Sequence, residues 1–208
     1  KNLTKYSFNI CLFIVLPAIV FMMSLAKPIC GLISGSYDFS TYSASYYVLF
    51  TLSSMMLTYS LSEMIYGQIL LPMKKEKYYL ITIICGVILN IALSIIFGVF
   101  VFNDNPAIGV ALATLITDLL VFVYLIILTW NWVKKALFNL NTLKLIIASL
   151  IMLATSIGGH YLFENIVFAS STLANSSKMF IELVSIFVVD IVLYVATLLI
   201  LKEDLVFS

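Results

Sequence analysis

Three carboxylic acids stand inside long apolar runs of this 208-residue chain: Glu63, Asp118 and Asp190. An acid at the centre of a bilayer costs roughly 2.5–3.5 kcal/mol on insertion scales, so one that persists there faces a bundle interior or a wet cavity. Such groups mark ion and proton paths, which is the chemistry of binding and coupling rather than of bond cleavage. Glu63 lies in an unusually polar stretch with Ser60, Tyr66, Gly67 and Gln68, and Asp118 has Thr114 and Thr117 beside it. No lysine lies deep enough to pair with any of the three. They are the candidate cavity or coupling residues. The competing account makes each a hydrogen-bonded packing residue.

Bond-making chemistry has little to work with. The chain has one histidine, His160, and no arginine. It carries no phosphate-cradling Gly-Lys loop, no HExxH, no GxSxG and no aspartate-rich diphosphate motif. His160 has no Cys, Asp or Glu at ligand spacing, so no metal site is expected, and an interfacial role fits it better. Cys11, Cys30 and Cys85 show no CxxC spacing and read as small apolar packing residues. Neither catalytic residues nor a cofactor are expected.

The elements that hold the acids follow from composition. The chain is 63% hydrophobic and 10% charged, with a mean hydropathy of +1.15. Soluble domains are about 45–50% apolar and about 25% charged. A water-soluble fold of this length could not hide so much apolar surface, but a bilayer can. The net charge of +1 gives no basic field for nucleic acid. Six stretches reach the roughly 20 residues that a spanning helix needs. They cover about 6–26, 46–71, 78–101, 107–130, 143–163 and 179–201. The lysines alternate by side. Lys1, Lys5, Lys74, Lys75, Lys77, Lys134, Lys135, Lys144 and Lys202 fall on one side, Lys27 and Lys178 on the other. The positive-inside rule then puts both termini in the cytoplasm, as an even number of spans requires. The longest outer loop, about 164–178, carries the polar run Ser170-Ser171-Thr172, and no extramembrane domain fits in any loop. The aromatic residues Tyr42, Tyr46, Tyr47, Tyr78, Tyr79, Trp130 and Trp132 sit at span ends, where amphipathic rings favour headgroup depth. The chain begins without an initiator Met, and it is expected to be the C-terminal part of a longer protein.

Packing signals are plain. Gly86, Asn90, Ser94 and Gly98 recur every fourth residue and form one ridge of the third span. Gly109 and Ala113 make a small-xxx-small step in the fourth span, and Ala154 and Gly158 repeat it in the fifth. Pro17 inside the first span is expected to kink it, Pro72 to end the second, and Pro106 to start the fourth.

The order of these segments resembles the C-terminal half of polysaccharide flippases, the O-antigen and capsule repeat-unit transporters of the multidrug/oligosaccharidyl-lipid/polysaccharide exporter superfamily. Three passages carry the likeness: LPAIVFMMSLAKPICGLISGSYDFS (16–40), YGQILLPMKKEKYYLITIICGVILNIALSIIF (66–97) and NPAIGVALATLITD (105–118). The resemblance implies an all-α integral membrane protein, six transmembrane helices forming one lobe of a two-lobe transporter in the bacterial cytoplasmic membrane. Its partners would be the bilayer, the N-terminal lobe and a lipid-linked oligosaccharide flipped by alternating access. Family members tend to place cationic residues in the cavity to hold the diphosphate. None is deep here, so either the other lobe supplies them or the cargo differs. A drug/cation antiporter of the same superfamily and a non-transporting or truncated membrane subunit are the alternatives. A membrane enzyme such as a polymerase or acyltransferase is a third, and it would be expected to show a larger outer loop.

Overall fold

The computed structural model describes residues 2–36, 38–137, 139–167 and 175–201. Lys1, Lys202 and the Ser170–Thr172 run lie outside them. The described residues are all-α, with no strand among them. Seven α-helices follow one another: α1 (Asn2–Ser24), α2 (Ala26–Ser34), α3 (Phe39–Ile65), α4 (Glu76–Ile95), α5 (Pro106–Leu137), α6 (Leu140–Leu162) and α7 (Asn175–Ile200). Three of them run on as a wider π-turn: α3 through Tyr66–Leu70, α4 through Ile96–Val101 and α6 through Phe163–Val167. Six helices are long and apolar enough to cross a membrane. They cover Thr4–Ser24, Phe39–Leu70, Glu76–Val101, Pro106–Lys134, Leu140–Leu162 and Ser176–Ile200. The chain is a multi-pass membrane protein by that measure, and its spans match the stretches read from hydropathy to within a few residues at most ends.

The ends have chemical causes. Asp38 precedes α3 and caps it: its Oδ1 accepts the Ser40 amide at 3.1 Å and its Oδ2 the Ser40 hydroxyl at 2.8 Å. Those bonds hold the Asp38 carboxyl below its ordinary value, the Ser40 hydroxyl counting most. Gly35 ends α2 in the left-handed region at φ 66°. Pro72 stands in the turn after α3, as expected. That turn closes with the Lys75 amide on the Leu70 carbonyl at 2.9 Å and the Lys74 amide on Leu71 at 3.0 Å. This is a Schellman closure, and it puts Lys74 at φ 55°, where glycine is usual. Pro17 does not end α1, which runs unbroken to Ser24. The segment after it, which lies between the first two stretches read as spans, is largely the short helix α2.

The chain forms two compact units. Unit 1 comprises Lys1–Val15 and Thr51–Leu143; unit 2 comprises Leu16–Phe50 and Lys144–Ser208. In unit 1, α4 and α5 form a close hairpin. A β-carbon on Gly109 would stand 2.6 Å from the Phe97 carbonyl oxygen, so only glycine permits this approach. Ala113 is fully buried on the same helix. On the α4 ridge, Gly86 and Gly98 are buried while Asn90 and Ser94 are partly so. Ser94 donates to Asn90 Oδ1 at 3.1 Å. In unit 2, α7 packs on α2, Met179 lies against Gly31, and Phe21 meets Phe187 edge-on at 4.7 Å. Ile186 of α7 closes on Gly159 of α6. Elsewhere the long helices present Ile, Leu, Val and Phe outward, as hydrocarbon contact requires.

Candidate functional site

Within unit 1, α3, α4 and α5 enclose an open cavity of about 540 Å³. Each helix contributes one stripe at helical spacing: Tyr59 and Glu63 from α3, Tyr79, Gly86 and Asn90 from α4, and Thr114 and Asp118 from α5. The cavity therefore gathers two of the three acids singled out in the sequence, together with the mid-span amide and the first ridge glycine. Gly86 is part of why it exists. Its missing side chain leaves room against Val121, whose Cγ2 would stand 2.9 Å from an added β-carbon.

Both acids are held by a donor from another helix. Tyr79 of α4 donates its hydroxyl to Glu63 Oε1 at 2.5 Å. Thr58 of α3 donates to Asp118 Oδ2. Glu63 is exposed on the cavity and Asp118 is half-buried. The Tyr79 ring also stacks on Tyr66, with centroids 4.1 Å apart and planes 17° apart. Tyr66 begins the π-turn that follows Glu63; such turns recur at functional positions in helices. The Thr114 and Thr117 hydroxyls donate to the carbonyls one turn back, Val110 at 2.9 Å and Ala113 at 2.8 Å. Their lone pairs stay available to a guest. The residues lining the cavity include two acids and no lysine.

The third acid is elsewhere. Asp190 belongs to unit 2, where it is fully buried and accepts a hydrogen bond from Thr155 Oγ1 at 3.2 Å. Gly98, Gly109 and Ala113 stay at helix contacts and do not line the cavity. Sequence reasoning missed the partners: Thr58 was not singled out, Tyr79 was read as an interfacial ring, and Glu182 was passed over. Glu182, 7% exposed, touches the Nδ1 of His160. The signal for these was weak, since periodicity gives the face of a helix but not its neighbour. Among the described residues, no group of three or more His, Cys, Asp or Glu is placed to hold a metal.

The arrangement can accept hydrogen bonds from a polyhydroxylated guest, present aromatic faces to it, or neutralise a cation. No protein-family model, curated protein or solved structure matches this chain.

Proposed function

We propose that this chain is one lobe of a membrane transporter that moves a polar, lipid-anchored headgroup across the bilayer by alternating access. The cargo class is a lipid-linked oligosaccharide, the membrane is the bacterial cytoplasmic membrane, and an N-terminal lobe completes the cavity, all as the sequence resemblance implies. The observation that supports it is the cavity itself: Glu63, Asp118 and Asn90 open onto one space of about 540 Å³ between otherwise apolar helices. Sites for small ligands run from about 300 to 1,000 Å³. Sugar hydroxyls are donors, and carboxylates, an amide oxygen and tyrosine rings are their natural acceptors and stacking faces. A headgroup so received leaves its lipid tail in the hydrocarbon outside.

A second reading, a drug/cation antiporter, is favoured by one feature. Two acids and two tyrosines with no lysine among the lining residues also suit an organic cation.

Deletion of the gene in its own host, restored with wild type, Glu63→Gln or Asp118→Asn, tests both. Loss of surface polysaccharide on deletion, restored by wild type and not by either variant at equal membrane level, is the expected result. Intact polysaccharide with lost resistance to hydrophobic cations would replace the first reading by the second. Unchanged phenotypes throughout would remove both and leave a non-transporting subunit.

A further inference from the structure

Unit 1 holds a second hollow beside the cavity, an open groove of about 290 Å³ between α4 and α5. Ile81, Cys85 and Leu89 line it from α4, and Leu120 and Tyr124 from α5, all of them exposed. The Thr82 hydroxyl beside them donates to the Tyr78 carbonyl at 2.6 Å, so it asks nothing of a guest. Gly86 and Val121 line both hollows. The cavity with its acids and the apolar groove thus share the contact between those two residues.

Size and chemistry both suit a hydrocarbon chain. An apolar hollow of about 150 Å³ takes one benzene, so this groove takes roughly a dozen carbon atoms. A partner helix is too long for it: Ile81 to Leu89 covers about 12 Å, less than half of a roughly 30 Å span. The groove lies in the half of α4 that begins at the Lys74–Lys77 turn and in the half of α5 that leads to Lys134. A chain gains little by leaving the bilayer for this groove, because lipid tails are as apolar as its walls. What keeps a tail there is a headgroup fixed next door, which raises the tail's local concentration. Glu63, Asp118 and Asn90, on the other side of the Gly86 contact, supply that anchor.

We propose that the groove seats the first segment of the hydrocarbon tail of the same molecule whose headgroup occupies the cavity. Head and tail then straddle the α4–α5 seam at Gly86, where α4 carries no side chain. The proposal rests on the headgroup reading of the cavity and adds to it the place of the tail, in the half of the bilayer nearer Lys74–Lys77.

Photolabelling of the purified full chain in nanodiscs of phosphatidylethanolamine and phosphatidylglycerol tests it. The probe is dodecyl maltoside with a diazirine in its tail, and the labelled residues are mapped by mass spectrometry. Saturable label on Ile81, Cys85, Leu89, Leu120 and Tyr124 is expected. Unlabelled dodecyl maltoside competes for it, and dodecylphosphocholine, with the same tail and no sugar, does not. Asp118→Asn weakens the labelling about tenfold by removing a charged acceptor. Cys85→Phe, which fills the groove, abolishes it there. If either variant does not fold, the wild-type map and the two competitors decide. Label spread evenly over the lipid-facing residues of α4 and α5, or equal competition by dodecylphosphocholine, overturns the proposal, because the groove then holds ordinary bilayer lipid. Saturable labelling that Asp118→Asn weakens but that maps outside the groove overturns the tail's placement and leaves the headgroup reading standing. No saturable labelling at all overturns it too, while the deletion phenotype decides the transport reading separately. A groove shielded from label in a chain that runs as a dimer belongs to a second copy, and this also overturns it.

Discussion

Gly109→Ala is the sharpest probe of the hairpin that shapes the cavity. The added β-carbon would lie 2.6 Å from the Phe97 carbonyl oxygen, 2.7 Å from its carbon and 2.9 Å from the Gly98 nitrogen. All three are main-chain atoms, so no rotamer change relieves the contact. Close carbon-to-oxygen approaches settle near about 3.3–3.6 Å, so α4 and α5 must part by roughly 0.7–1 Å at this point. Overpacking of this kind costs about 1–3 kcal/mol. Against it stands the gain of up to about 1 kcal/mol when alanine replaces glycine in a helix. Gly158→Ala isolates that second effect, because nothing lies within 4 Å of its added carbon. Gly86→Ala falls between the two, since the obstructing atom is the movable Val121 Cγ2 at 2.9 Å. The expected order of stability is Gly158→Ala, then Gly86→Ala, then Gly109→Ala. First and last should differ by about 1–3 kcal/mol, or very roughly 2–12 °C in thermal midpoint at 2–4 °C per kcal/mol for a chain of this size. Thermal unfolding in one detergent, followed by circular dichroism, measures it. If Gly109→Ala melts with Gly158→Ala, the close approach of α5 to Phe97 is refuted.

Two further outcomes follow from the helix ends. Lys74→Gly should stabilise unit 1 by up to about 1 kcal/mol, because glycine occupies the left-handed region without the clash a β-carbon makes; an unchanged or lower thermal midpoint would refute it. The Asp38 carboxyl is held below its ordinary value of 3.8 by the Ser40 hydroxyl and amide. Its contribution to the start of α3 is therefore complete above about pH 3.8 and fades only as pH falls through the lower folded value. A carbon-13 NMR titration of that carboxyl should show a midpoint below 3.8, and a midpoint at or above 3.8 would contradict the cap.

The spans were legible because hydrocarbon demands unbroken apolar length, and nothing else in the chain supplies it. Where the reading fell short, the cause is local chemistry. The second span was expected from Tyr46, yet α3 begins at Phe39. Its first turns are rich in Ser and Tyr, which lowers hydropathy, while the Asp38 cap and interfacial rings keep them helical. There Phe39 meets Tyr42 and Tyr46 edge-on, both at 5.5 Å. The helix α2 escaped notice because Ala26–Ser34 is too short to span and ends in a glycine. The acids were legible singly, since each offends the hydropathy around it. Their grouping was not: Asp118 meets Thr58 across 60 positions of sequence, and Asp190 meets Thr155 across 35, with both of those residues in unit 2. A pattern along one helix records which face is polar, whereas the partner is chosen by how helices cross.

One habit of the hydroxyl groups bears on motion. In unit 1 the hydroxyls of Ser62, Thr82, Thr114, Thr117 and Thr129 bond to carbonyls of their own helices. Each helix thus satisfies these groups alone and asks nothing of its neighbour. Two clasps still join helices around the cavity, Tyr79 to Glu63 and Thr58 to Asp118. Both close on an acid, so a guest that takes over either carboxylate unfastens the helix that held it. On the transport function proposed above, the arrival of a guest would itself release the latch.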